Sequence, residues 1–300
     1  MLLPARRCSI RAPVSSAMAE PRVSHTATLL PDGRVLVIGG YPAEGAAPTG
    51  SMEIYDPQRN RFLRFGSLQV PRADHTATLL PNGLVLVAGG RGADGRALDS
   101  VELVDPRTGD VQPAPPLPGP RTAHTATEIP GGVLLIGGTG TGAVAMRSTV
   151  EYVTAAGRWR SGPDLLRARV KHAAAALPDG RVLVVGGAPS VKSRHRFADT
   201  ELVDPVAARS VPGPRLTDGR YKIGDAVAVL PDGRVAIAGG RTVEVFDPRT
   251  GLIRTVPGSG LGRRRSFQTA TALSDTQVLV AGGYDSSIRP TRMSWLIQLG

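Results

Sequence analysis

HTATLLPDGRVLVIGG, from His25 to Gly40, contains two apolar runs separated by a Pro-Asp-Gly turn and closed by a glycine pair. The runs are too short for helices, and Asp-Gly tolerates the positive φ that a two-residue hairpin requires. The string returns as HTATLLPNGLVLVAGG from His75, HTATEIPGGVLLIGG from His124 and HAAAALPDGRVLVVGG from His172. Looser copies start at Asp225, DAVAVLPDGRVAIAGG, and at Gln268, QTATALSDTQVLVAGG. The first glycines of the pairs are Gly39, Gly89, Gly137, Gly186, Gly239 and Gly282.

A period of about 50 residues is the signature of a stacked or radial repeat. Each unit resolves into four strands. The first follows the His position, and the second is the apolar run before the glycine pair. The third is the run EIYDP, ELVDP, ELVDP or EVFDP, beginning at Glu53, Glu102, Glu201 and Glu244 and ended by an Asp-Pro turn. Blade 3 departs from it with Glu151-Tyr152-Val153-Thr154. The fourth strand is irregular, as in Gly157-Arg158-Trp159-Arg160. Six four-stranded antiparallel units make an all-β, six-bladed propeller.

The sixth unit runs out after one strand beyond its glycine pair, near Met293–Gln298. The strand-like piece Cys8–Ala17 is expected to supply the missing strand and close the ring, which removes an open sheet edge. The whole chain, 1–300, then reads as one domain: residues 1–18 as the closing strand of blade 6 and 19–300 as the six repeats.

The glycine pairs, the R-x-x-H-T-A-T lead-ins and the E-x-Y-D-P strands resemble bacterial Kelch-repeat proteins and the Kelch propeller of galactose-oxidase-like proteins. The resemblance covers nearly the whole chain. It implies a fold that serves as a protein-interaction module, as a carbohydrate-associated domain and, less often, as an enzyme. The copper centre of galactose oxidase is not expected, because Cys8 falls in the closing strand and no matching loop motif accompanies Tyr41, Tyr152, Tyr221 or Tyr284. No cofactor and no metal site are expected.

The 37 glycines and 26 prolines sit at fixed places between apolar runs, so they punctuate strands rather than mark disorder. The net charge of +11 is almost all arginine, spread along the chain and partly at repeat positions, which does not favour a nucleic-acid surface. One cysteine excludes an internal disulfide. The first residues, from Met1 to Arg7, contain no apolar core of signal-peptide length. No stretch approaches the roughly 18 apolar residues of a membrane-spanning helix. A cytoplasmic monomer is expected, or a secreted or cell-surface one if the chain is a fragment.

Three polar series recur blade by blade. One is His25, His75, His124 and His172. The second is Arg22, Arg72, Arg121, Arg169 and Arg265, three residues before the His position. The third is Glu53, Glu102, Glu151, Glu201 and Glu244. A residue repeated in every blade solves a problem common to every blade, so these are read as scaffold. The Glu carboxylates are expected to meet the Arg or His groups as repeated ion pairs. Blade 6 replaces both members, with Gln268 and Ser294, and blade 5 places Asp225 at the His position.

Function is expected where the repeat breaks, on the loop-bearing face. The blade 4 loop offers Lys192, Arg194, His195 and Arg196, and the irregular positions add Tyr221, Lys222, Asp225, Gln268 and Arg289. GTGTG at Gly138–Gly142 follows a strand but leads into a loop, not the helix of a dinucleotide fingerprint. The reading is a non-catalytic scaffold that binds a protein or carbohydrate, acidic in character, through this face. The alternative is an enzyme acting on a sugar or other small molecule at the channel mouth, in the manner of the sialic-acid epimerases. That alternative requires Tyr221, Lys222, Asp225 and Gln268 to converge with His195.

Overall fold

A computed structural model of the chain describes residues 17–262, 266–284 and 294–299. Among them the chain forms strands and no helix. Blade 1 holds β1 (Thr26–Leu29), β2 (Val35–Ile38), β3 (Ser51–Asp56) and β4 (Arg61–Ser67). Blade 2 holds β5 (Thr76–Leu79), β6 (Val85–Ala88), β7 (Val101–Val104) and β8 (Val111–Ala114). Blade 3 holds β9 (Thr125–Ile129), β10 (Gly132–Ile136), β11 (Thr149–Val153) and β12 (Arg158–Ser161). Blade 4 holds β13 (Ala173–Ala176), β14 (Val182–Val185), β15 (Thr200–Asp204) and β16 (Arg209–Pro212). Blade 5 holds β17 (Val227–Val229), β18 (Val235–Ile237), β19 (Glu244–Asp247) and β20 (Leu252–Thr255). Blade 6 holds β21 (Ser266–Ser274), β22 (Gln277–Tyr284) and β23 (Ser294–Gln298).

Each blade is an antiparallel meander in sequence order, four-stranded in blades 1 to 5 and three-stranded among the described residues of blade 6. The first strands pack side by side, β1 on β5, β5 on β9, β9 on β13, β13 on β17 and β17 on β21, and line the centre. The chain is therefore a six-bladed β-propeller. The expected closing strand lies outside the described residues but for Ala17 and Met18.

The core lies between blades, which explains why the second strands are apolar on both faces. Leu36, Ile38, Met52 and Ile54 of blade 1 meet Val85, Val87 and Val104 of blade 2. Leu86, Ala88 and Val101 on the other face of blade 2 meet Val133, Leu135, Val150 and Tyr152. Leu134 and Ile136 meet Val182, Val184 and Val203 in turn. Each fully buried Val, Leu or Ile side chain contributes about 1.5–3 kcal/mol, so both faces of each blade matter.

The glycine pairs lock neighbouring blades. Gly40 N donates to Arg72 O at 2.9 Å, Gly90 N to Arg121 O at 2.8 Å and Gly138 N to Arg169 O at 3.0 Å. Gly187 N reaches Arg220 O at 2.8 Å. A Cβ on Gly89 would lie 2.4 Å from Arg121 O, and φ there is +60°. Only glycine lets the two backbones approach so closely in that conformation.

On the opposite face, turn aspartates hold the arginines two residues on. Arg34 pairs with Asp32 at 2.8 Å, and Arg181 and Arg234 pair with Asp179 and Asp232, each at 2.6 Å. Part of the arginine excess is thus neutralised within single turns. Among the described residues, no helix is long and apolar enough to cross a membrane.

Candidate binding site

The three repeated polar series form two kinds of joint. The first lies within a blade. Arg72 Nη1 donates to Gly89 O and Ser100 O, both at 2.8 Å, and Nη2 meets Glu102 at 2.6 Å. The guanidinium thereby ties the end of the second strand to the start of the third. Glu102 also accepts from the backbone N–H groups of Gln69, at 2.7 Å, and Val70, at 3.2 Å. Arg22 with Glu53 (2.9 Å), Arg169 with Glu201 and Arg220 with Glu244 repeat the joint. These arginine side chains are fully buried.

The second joint crosses between blades. Nε2 of His75 lies 3.0 Å from the Thr26 hydroxyl, that of His124 3.0 Å from Thr76, and that of His172 2.9 Å from Thr125. Nδ1 of these three rings has no partner, so the arrangement favours the tautomer whose Nε2–H donates to threonine. Burial, with the neighbouring arginine adding to it, holds His75 and His172 down at about 3. His124 is held well below its ordinary value in the same way. These histidines are neutral structural links. Among the described residues no group of three His, Cys, Asp or Glu side chains is placed to hold a metal ion.

Blade 5 differs from the expected register. Arg220 fills the arginine slot, five residues before Asp225 rather than three. Ile223 takes the histidine place, its Cδ1 being 3.3 Å from where a Gly186 Cβ would stand, as His172 Cε1 is 3.0 Å from that of Gly137. Gly224-Asp225 is then an insertion before the strand. Its signal was available: Arg220-Tyr221-Lys222-Ile223 aligns with Arg169-Val170-Lys171-His172. The His–Thr joint disappears as a pair there, Ile223 facing a blade whose threonine position is Ala173. Arg265 lies outside the described residues. In blade 6, Trp295 and not Ser294 stands in the carboxylate register, opposite Val280.

The residue before the His position has a left-handed backbone in each blade: Ser24, Asp74, Ala123, Lys171, Lys222 and Phe267, with φ from 52° to 58°. These residues follow one another around the mouth of the central channel. Asp74 N donates to Ser24 O at 3.0 Å, Lys171 N to Ala123 O at 3.3 Å, Lys222 N to Lys171 O at 2.9 Å and Phe267 N to Lys222 O at 2.8 Å. The Thr122 hydroxyl bridges to Asp74 O at 3.4 Å. The rim is built mostly from main chain and carries side chains that the repeat does not dictate.

On one side this rim is cationic and aromatic. Tyr221 lies between two ammonium groups, Lys171 Nζ at 5.9 Å and Lys222 Nζ at 5.6 Å from its ring centroid. Lys222 Nζ also stands 5.1 Å from the centroid of Phe267, a ring 52% exposed. Burial and the charge of Lys222 hold the Lys171 ammonium below its ordinary pKa. The Tyr221 hydroxyl donates to Val191 O at 3.0 Å and so fastens the blade 4 loop beside the lysines. That loop also bridges to blade 3, through Ala145 N to Pro189 O at 3.1 Å.

The structure brings some of the expected site residues together and separates others. Lys192, Arg194 and His195 are exposed on the loop that Tyr221 holds, and Arg196 is half-buried. His195 packs edge-on against Phe197, with centroids 5.3 Å apart. Asp225 and His25 interact electrostatically, His25 opposing the rise that burial gives the Asp225 carboxyl. Gln268 is fully buried, with its Oε1 accepting from Gly239 N at 3.2 Å. Arg289 lies outside the described residues. Sequence reasoning missed Lys171 and Phe267 because each sits inside an otherwise regular lead-in. The signal was there, since lysine occurs at only three positions. No protein-family model matches the chain, and no curated protein is found to match it.

Proposed function

We propose that this chain is a Kelch-type propeller acting as a non-catalytic scaffold that binds an acidic protein or glycan through its loop-bearing face. One observation carries the reading. Tyr221 joins the basic blade 4 loop to the Lys171–Lys222 pair, making one cationic tract that ends at the exposed ring of Phe267. Two ammonium groups suit carboxylates, and an exposed aromatic ring beside them suits a sugar face or an apolar side chain. His75, His124 and His172 and the Arg–Glu pairs of blades 1, 2, 4 and 5 are engaged in joints between strands and blades, which favours the rim and loops for recognition of a large ligand.

The reading is tested by a glycan array and by pull-down with the whole chain. Any ligand so found is then measured against K171A/K222A and against the loop variant K192S/R194S/R196S. Loss of binding in both supports the proposal, and retained affinity in both removes it. The enzyme alternative gains no specific support, because Gln268 is buried in a joint and His195 stacks on Phe197 in the loop.

A further inference from the structure

Blade 3 lacks one part of the joint that blades 1, 2, 4 and 5 share. Arg121 occupies the arginine slot, with Nη1 donating to Gly137 O at 2.6 Å and Ser148 O at 2.9 Å. Nη2 donates to the Ser148 hydroxyl at 3.0 Å, and Nε has no partner. Among the described residues Arg121 forms no ion pair. Burial alone therefore holds it down to about 10, whereas Glu102 pushes back against the burial of Arg72.

The cause is a single-residue offset. The carboxylate of the joint lies two residues after the residue whose carbonyl accepts from the first glycine. In blade 2 that acceptor is Ser100, which leads to Glu102; in blade 3 it is Ser148, which leads to Val150. Val150 pairs with Leu135 and faces blade 2, and Glu151 pairs with Leu134. Successive side chains leave a strand on opposite faces, so Glu151 points away from Arg121. It binds Arg160 on β12 instead, at 2.8 Å. One of the two backbone donors is lost as well, since Pro118 stands where Gln69 donates to Glu102.

An open cleft of about 410 Å³ lies at this place. Arg121, Ser148 and Val150 line it, with Pro118, Met146 and the exposed Asp164 around them. A buried cation without a counter-charge is costly by several kcal/mol, and an anion that enters the cleft offsets that cost. We propose that the blade 3 cleft binds a small monocarboxylic acid, whose carboxylate takes the place of the missing glutamate beside Arg121. The apolar flanks formed by Met146, Val150 and Pro118 fit a short alkyl chain. The Asp164 carboxylate at the rim disfavours a second negative charge on the ligand. The volume falls within the range of small-molecule sites, about 300–1,000 Å³. This site is separate from the lysine-bearing rim, and the proposal stands without that reading.

The test is calorimetric titration of the whole protein with butyrate, succinate and chloride, up to about 50 mM at matched ionic strength. Two variants accompany it. V150E returns a carboxylate to the vacant register, and T141W places a bulky ring at the cleft from an exposed loop position. The expected result is saturable butyrate binding, at least about tenfold weaker succinate binding, and loss of butyrate binding in T141W and in folded V150E. No butyrate binding, or chloride binding as tight as butyrate, overturns the proposal. Undiminished butyrate binding in T141W overturns it even if V150E does not fold.

Discussion

Nε2 of His75 stands 3.0 Å from the hydroxyl of Thr26, joining blade 2 to blade 1 where the two first strands meet. The same joint links blades 2 and 3 and blades 3 and 4. All three rings are buried and neutral. Their folded pKa values, about 3 for His75 and His172, lie below the ordinary value of 6.5. The folded state thus binds fewer protons than the unfolded one. The stability these groups contribute is present above pH 6.5 and is lost as pH falls toward 3. Each adds a loss of roughly 1.4 kcal/mol per pH unit within that window. Urea unfolding of wild type and H75Q between pH 7 and pH 4 checks this: wild type should lose more stability than the variant across the series.

The two glutamates of blades 2 and 3 should respond unequally to removal. Glu102 neutralises an Arg72 side chain with no solvent exposure, so E102A strands a buried charge and should cost about 3–5 kcal/mol. Glu151 meets an Arg160 side chain that is 61% exposed, so losing that ion pair should cost at most about 1 kcal/mol. Chemical denaturation of the two variants gives the comparison, and equal costs would contradict the offset register.

Gly89 and Gly95 both have positive φ, but only Gly89 is crowded. A Cβ at Gly95 meets nothing within 4 Å, whereas at Gly89 it would stand 2.4 Å from the Arg121 carbonyl. G95A should therefore cost about 1–2 kcal/mol of backbone strain. G89A adds the parting of two blades and should unfold at a much lower temperature. Thermal melts of the two proteins decide it.

Lys171 sits below its ordinary pKa through burial and the charge of Lys222. Removing that charge in K222A should raise the Lys171 pKa, leaving less free amine at pH 8. The rate of acylation of Lys171 by an amine-selective reagent, followed by peptide mass spectrometry, should fall relative to wild type.

Six glycine pairs, five hairpin-turn signals and four E-x-x-D-P strands made the propeller legible, because each marks a backbone need that side chains cannot hide. The ion-pair series was legible in kind but not in every place. Counting back from Asp225 missed Arg220, because a two-residue insertion shifts the spacing; only the match of Arg220-Tyr221-Lys222-Ile223 to Arg169-Val170-Lys171-His172 gives it away. Matching Glu151 to Glu102 by composition missed that Ser148-x-x-Glu151 is one residue longer than Ser100-x-Glu102. In a strand, one residue is a change of face. The rim was legible only in part: Tyr221 and Lys222 stood out as repeat-breaking positions, but Lys171 and Phe267 did not. Left-handed backbone at Ser24, Asp74, Ala123, Lys171, Lys222 and Phe267 shares no side-chain preference, since the neighbouring main chain selects it.

That last feature divides labour between atoms. Main-chain hydrogen bonds link four of the neighbouring pairs around the mouth of the channel, so the side chains mounted there are not what joins those blades. The mouth is a display surface with six addressable positions. A library randomised at residues 24, 74, 123, 171, 222 and 267 should yield folded proteins with different ligands. Asn and Gly would be the least strained substitutes there, and β-branched residues the most.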